Sequence, residues 1–176
     1  IPYYDRFMQS FPSIKHLAQA PLDAVLALWS GLGYYSRARH LHQAACLIMQ
    51  NYQGNFPQTR TLIQQLPGIG RSTAAAIAVF AYGKCEAILD GNVKRVFTRY
   101  FGIAGYPGES KIQTQLWNKA EAHLPSDHQK HHIATYTQAL MDLGATICTL
   151  RRPICTNCPL QKNCVAFNGN LIKQLP

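Results

Sequence analysis

Four of the six cysteines lie close together near the C-terminal end of the chain, at Cys148, Cys155, Cys158 and Cys164. Their C-x6-C-x2-C-x5-C spacing allows all four thiolates to converge on one metal centre. Zinc and an iron–sulfur cluster both accept four cysteines, and the spacing does not choose between them. Two disulfides are the alternative, but a chain that can bury a sizeable core has little need of them. The sequence therefore predicts a four-cysteine metal site.

A glycine turn directly before a predicted helix is a second candidate site. Gly68-Ile69-Gly70 leads into Arg71 and Ser72. Such a turn exposes backbone N–H groups that have no partner within the helix, and the helix dipole adds partial positive charge, so phosphate binds there without any base being read. An ordinary connector between helices is the plainer alternative. We expect Gly68, Gly70, Arg71 and Ser72 to contact a nucleic-acid backbone.

The net charge points to a polyanionic partner. Lys and Arg number 17 against 8 Asp and Glu, which gives a formal charge of +9, and such a balance suits DNA or RNA. No apolar run approaches the roughly 20 residues that cross a bilayer, so no membrane partner is expected. Arg151 and Arg152 lie in the longest interval between the clustered cysteines, and an ordered loop there would offer them to backbone phosphates. A solvated charge pair is the alternative.

Helices must position these residues, because helical periodicity dominates the chain. Val93, Val96 and Phe97, for example, recur at the spacing of one helical face. No run of alternating residues indicates a strand, so the predicted fold class is all-α. The predicted helices span residues 2–10, 13–19, 22–30, 35–51, 59–65, 71–82, 91–102, 110–123 and 130–146.

The glycine turn, residues 88–96, residues 139–145 and the four cysteines occur in an order that resembles the helix-hairpin-helix DNA glycosylase superfamily, and most closely its adenine DNA glycosylases of the MutY type. The resemblance implies a helix-hairpin-helix glycosylase fold. It places a six-helix barrel lobe at residues 1–105 and an iron–sulfur lobe at residues 106–176. It also implies that the four cysteines hold a [4Fe-4S] cluster.

The same resemblance assigns roles around the predicted helix 91–102. Asp90 matches the family's catalytic aspartate, whose carboxylate stabilises an oxocarbenium-like sugar while water attacks; it is also a good N-cap, and both roles can coexist. We expect Asn92 to orient that carboxylate or contact DNA, and Lys94 to contact DNA. Ser72 stands where endonuclease III-type lyases carry the lysine that forms a Schiff base, which implies a monofunctional glycosylase.

An earlier hairpin resembles the family's DNA-wedging element. Gly31-Leu32-Gly33 precedes Tyr34, Tyr35 and Arg37, and in the family a tyrosine of this segment enters the DNA stack. Either tyrosine is a candidate, and core positions are the alternative for both. We expect Tyr34, Tyr35 and Arg37 to contact DNA.

The implied substrate is adenine opposite 8-oxoguanine or guanine in double-stranded DNA, and the implied setting is a monomer at the nucleoid of a bacterial cytoplasm. Adenine must be protonated as it leaves, which requires a general acid. Family members carry this acid as a glutamate upstream of the segment that resembles residues 1–10. A Nudix-like domain usually follows the cluster in the family. We therefore expect this chain to be a truncated catalytic domain with impaired base excision. A noncatalytic DNA-binding module and an endonuclease III-like lyase are the alternative functions.

Overall fold

The structure, a computed structural model, describes residues 2–126 and 131–175, and the regular elements within those residues are all helical. The α-helices are α1 (Pro2–Ser10), α2 (Ile14–Gln19), α3 (Leu22–Leu28), α4 (Tyr35–Tyr52), α5 (Arg60–Ile63), α6 (Arg71–Tyr82), α7 (Gly91–Phe101), α8 (Ser110–Ala122), α9 (Ile133–Asp142) and α10 (Val165–Asn168). A π-helical turn spans Leu143–Ile147, and 3-10 turns span Cys155–Asn157 and Gln161–Asn163. The all-α prediction is confirmed.

The helix bounds differ most from the prediction where the chain turns sharply. The helix predicted at residues 59–65 is only the single turn α5, which begins after the N-cap Thr59. The helix predicted at residues 130–146 begins as α9 at Ile133 and passes into the π-helical turn, while its predicted first residue lies outside the described residues. Helix α10 and the 3-10 turns were not predicted, because such short elements show no periodicity.

The chain folds into two compact units, residues 1–70 and residues 71–176. In the first unit α4 packs against α2 and α3, and α3 packs against α1. Leu17, Val25, Ala38 and Ala45 form the buried centre of that packing. Small alanines on α4 let the neighbouring short helices approach closely, which gives the unit its core.

The second unit is built around α7, which packs against α8, α9, α10 and the π-helical turn. Its apolar face buries Val93, Val96 and Phe97, as the spacing predicts. Helix α6 packs against α9 and buries Ala74 and Ala75, whose small side chains permit close packing. The division predicted at residues 105 and 106 stays a prediction.

Among the described residues, none of the helices has the length and apolar character that crossing a membrane requires.

Candidate functional site

Asp90 is the N-cap of α7. Its Oδ1 accepts a hydrogen bond from the Val93 backbone N–H at 2.8 Å, and its backbone is extended. This bond satisfies one of the free N–H groups of the first turn. It also fixes the direction of a half-buried carboxylate. The capping role considered from the sequence is present, and it orients the group that the resemblance assigns to catalysis.

Ser72, in the first turn of α6, supports the same segment. Its Oγ accepts a hydrogen bond from the Leu89 backbone N–H at 3.0 Å, one residue before Asp90. The hydroxyl is half-buried and ties the start of α6 to the chain that enters α7. A hydroxyl retains its own proton to donate, so this bond is compatible with the predicted phosphate contact, which stays a prediction.

Arg95 donates hydrogen bonds to two groups on its own helix, one of them the Gly91 carbonyl, and to two carbonyls further along the chain. Its Nε donates to the Cys148 carbonyl at 2.7 Å, and its Nη2 donates to Asn92 Oδ1 at 2.8 Å and to the Gly144 carbonyl. Asn92 is thus held by a neighbour on its own helix. Sequence reasoning missed Arg95, although its position three residues after Asn92 on α7 was the available signal.

Gly144 allows that arrangement because it lies directly against α7. A Cβ built at Gly144 would stand 2.6 Å from Asn92 Cβ and 2.9 Å from the Asn92 carbonyl oxygen. Both distances are well inside van der Waals contact. Only glycine therefore fits at this point of the π-helical turn without moving α7.

Arg71 has partners within its own unit. Its guanidinium lies over the Trp117 ring, 3.8 Å from the ring centroid, and forms an ion pair with Glu121. Both partners belong to α8. The predicted phosphate contact of Arg71 stays a prediction, and forming it would compete with Glu121 for the guanidinium.

Lys94, which we expect to contact DNA, lies on α7 and is half-buried.

The two glycine turns of the first unit share left-handed backbone conformations. Gly31, Gly33 and Gly68 have φ values of 88°, 66° and 73°, which favour glycine. At Gly68 a Cβ would also stand 2.5 Å from His40 Nδ1. Gly70 has neither restriction, and both Gly68 and Gly70 are exposed.

The tyrosine pair after the first turn is differently exposed. Tyr34 also adopts a left-handed conformation, with φ 47°, and is 78% exposed, whereas Tyr35 is 41% exposed. The Arg37 guanidinium lies 5.0 Å from the Tyr34 ring centroid and is itself exposed. A single large ring thus projects into solvent beside a cation, and Tyr35 is not a core residue.

Cys148, Cys155, Cys158 and Cys164, which we call the cysteine quartet, line one cavity of about 30 Å³. None of them forms a disulfide. Across the described residues, no three His, Cys, Asp or Glu side chains are grouped tightly enough to hold a single metal ion. The cysteine quartet therefore surrounds a small space, and its sulfurs do not converge on a single metal position.

Burial raises the pKa of the Cys155 thiol, and the other three sulfurs raise it further, while Arg99 lowers it. Arg99 lies on α7 and lines the same cavity. Sequence reasoning missed this residue as well. Arg151 and Arg152 are exposed in the loop between the π-helical turn and the first 3-10 turn, where they are free to meet an anion.

A family model described as HhH-GPD superfamily base excision DNA repair protein matches residues 1–122. The chain belongs to this superfamily. It is 48% identical over 166 residues to the adenine DNA glycosylase of Buchnera aphidicola subsp. Acyrthosiphon pisum, a match that covers 94% of the chain and 46% of that protein. It is 42% identical over 171 residues to the human adenine DNA glycosylase, covering 94% of the chain and 30% of that protein.

Solved structures of the superfamily agree in fold. A thermostable thymine-DNA glycosylase superposes with a TM-score of 0.84 at 30% identity, covering 96% of this chain and 76% of that one. An endonuclease III in a non-covalent DNA complex superposes with a TM-score of 0.77 at 22% identity, covering 97% of this chain and 76% of that one. This HhH-GPD chain spans about half the length, or less, of the curated relatives it matches.

Proposed function

We propose that the protein is a monofunctional adenine DNA glycosylase that removes adenine paired with 8-oxoguanine or guanine. The observation that carries the proposal is the Asp90 carboxylate, which the first turn of α7 holds in place while Ser72 stands where a lyase would need an amine. The identity to adenine DNA glycosylases, 42% to 48% over nearly the whole chain, supports the choice of adenine.

In this mechanism Asp90 acts by charge. As the bond between adenine and its sugar breaks, positive charge develops on the sugar, and a carboxylate held nearby stabilises it while water attacks. The N-cap bond engages Oδ1 of Asp90, so the second carboxylate oxygen would be the one to face the sugar. Asn92 holds its place through Arg95, and we infer that its amide contacts the water or the DNA.

The decisive experiment is single-turnover release of adenine from a duplex containing A·8-oxoguanine, with a C·8-oxoguanine duplex as the control substrate. The full-length protein is compared with its Asp90→Asn variant. We expect it to release adenine from the A·8-oxoguanine duplex only, and the Asp90 variant to be at least about 10²-fold slower. Release from neither duplex would contradict the adenine assignment, and equal rates in the two proteins would contradict the role of Asp90.

The lyase alternative is tested separately, because it requires an amine. Lys94 is the amine one helical turn from Asp90. Borohydride trapping on abasic DNA should give little covalent product, and Lys94→Ala should remove what there is. Efficient trapping by Lys94→Ala would favour an endonuclease III-like reaction, and binding without any excision would favour the noncatalytic module.

We infer that double-stranded DNA is bound through Tyr34 and Arg37 in the first unit, through the start of α6, and through the exposed Arg151 and Arg152. The exposure of Tyr34 favours it over Tyr35 as the residue that enters the base stack. Stacking on a base contributes about 1–3 kcal/mol, so Tyr34→Ala should weaken duplex binding at least several-fold more than Tyr35→Ala. Equal losses would contradict the assignment. With genomic DNA as substrate, the place of action is the nucleoid of a bacterial cytoplasm.

We propose that the cysteine quartet holds a [4Fe-4S] cluster. Four thiols around one cavity form the donor set of such a cluster, and the resemblance to adenine DNA glycosylases implies a cluster in place of a zinc ion. When bound, the cluster supplies a covalent anchor for the loop and a redox-active centre. Cys164→Ser should lower the iron and sulfide bound per chain, whereas Cys46→Ser, on α4, should not. Equal contents in both variants would contradict the assignment.

A further inference from the structure

Arg99 is a buried cation on α7. Its side chain is 2% exposed. Nη1 donates to the Thr149 carbonyl at 2.7 Å, and Nη2 donates to the Leu150 carbonyl at 2.9 Å. These are the two carbonyls that follow Cys148, so the guanidinium holds the chain just beyond the first member of the quartet.

Within the part of the chain that the structure describes, no carboxylate pairs with this guanidinium. Every hydrogen bond that Arg99 makes among residues 2–126 and 131–175 goes to a carbonyl or a sulfur. Its Nε is buried and has no hydrogen-bond partner among the described residues. A buried charge that lacks a counter-charge is strongly unfavourable, so an anion next to Arg99 would stabilise it.

The cysteine cavity is where that anion can be. Arg99 lines it together with the quartet. Nη1 lies 3.5 Å from Cys148 Sγ, and the Arg99 carbonyl lies 3.6 Å from Cys164 Sγ. Four thiolates outweigh the positive charge of an iron–sulfur core, so the loaded site is an anion. Its charge and the charge of Arg99 would then be buried together.

We propose that Arg99 is the buried counter-cation of the cysteine-bound cluster, and that it raises the reduction potential of the cluster and slows its loss. The inference rests on the proposed [4Fe-4S] cofactor. Reduction adds one electron to an already anionic site, and a cation in low dielectric favours the more negative state. Arg99, which is almost fully buried, is thus a positioning residue that acts through the cluster.

The test removes the charge while keeping hydrogen-bonding capacity. In Arg99→Gln the amide still donates to the loop but carries no charge; Arg99→Lys keeps the charge. Arg151→Gln is the matched control, because it removes an exposed arginine from the same loop, where water and salt screen the charge. Each protein is prepared without oxygen, its iron and sulfide are measured, and its midpoint potential is determined by titration with a one-electron reductant.

We expect Arg99→Gln to disfavour the reduced cluster about tenfold, which lowers the midpoint potential by about 59 mV for one electron. Its cluster should also lose iron to a chelator several-fold faster. Arg99→Lys should shift the potential by less than half as much, and Arg151→Gln should leave it unchanged. A loaded Arg99→Gln protein with the wild-type potential and iron retention overturns the inference.

Failure to load is also informative. If Arg99→Gln binds no iron but Arg99→Lys loads and keeps a potential near that of the wild type, the charge is what the site needs and the inference stands. If neither variant loads, the fork of hydrogen bonds to Thr149 and Leu150 is what matters, and the inference is overturned. If the wild-type protein contains no iron and sulfide, the proposed cofactor itself is refuted. If the wild type is loaded and the Arg99 variants match it in potential and iron retention, only the role of Arg99 is refuted.

Discussion

Replacing Gly144 by alanine tests the close approach of the π-helical turn to α7. The new Cβ would stand 2.6 Å from Asn92 Cβ and 2.9 Å from its carbonyl oxygen, about 1 Å inside normal contact. Because one of these atoms is backbone, no side-chain rotation relieves the overlap. Overpacking costs about 1–3 kcal/mol, and alanine recovers about 0.5–1 kcal/mol of helix preference. We expect a net loss of about 1–2 kcal/mol.

For a chain of this length that loss lowers Tm by about 2–8 °C. Thermal and urea unfolding followed by circular dichroism measure it, with the iron content of each sample matched. Gly91→Ala is the control, because a Cβ there has no heavy atom within 4 Å and the residue has no left-handed φ. That variant should be about 0.4–1 kcal/mol more stable than the wild type. If Gly144→Ala is as stable as Gly91→Ala, the reasoning from close approach is refuted.

Three further changes probe the site. Asp90→Asn should unfold with the wild-type free energy, because asparagine caps a helix equally well, whereas Asp90→Ala should lose about 1 kcal/mol of stability in urea unfolding. Both variants should slow adenine release by the full-length protein at least about 10²-fold. Gly68→Ala should lose at least about 1 kcal/mol of stability, from its left-handed φ and its overlap with His40, while Gly70→Ala stays within about 0.5 kcal/mol. Glu121→Gln should change the free energy of unfolding by less than about 1 kcal/mol, since it and its arginine partner are 53% and 37% exposed.

Local features were predictable because a few neighbouring residues encode them. The bounds of α1 and α6 match the prediction, since helical periodicity and the flanking glycines and prolines lie within the segments themselves. The capping role of Asp90 follows from its place before Gly91. Left-handed backbone at Gly68 follows from the glycine turn. The spacing of the four cysteines likewise identified residues that lie around one cavity.

Other features depend on which faces meet, and no local pattern records that. The sequence places Arg95 and Arg99 on α7, but the carbonyls that tie them to the cysteine loop lie about fifty residues further along the chain. Arg71 followed a glycine turn and was predicted to be a phosphate ligand, yet its partners on α8 are visible only in the folded chain. Periodicity and spacing by themselves determined the longer helices, the cap and the cysteine set. Tertiary packing alone decided which buried cation lies against the cysteine sulfurs, because burial and counter-charge are properties of contacts between distant segments.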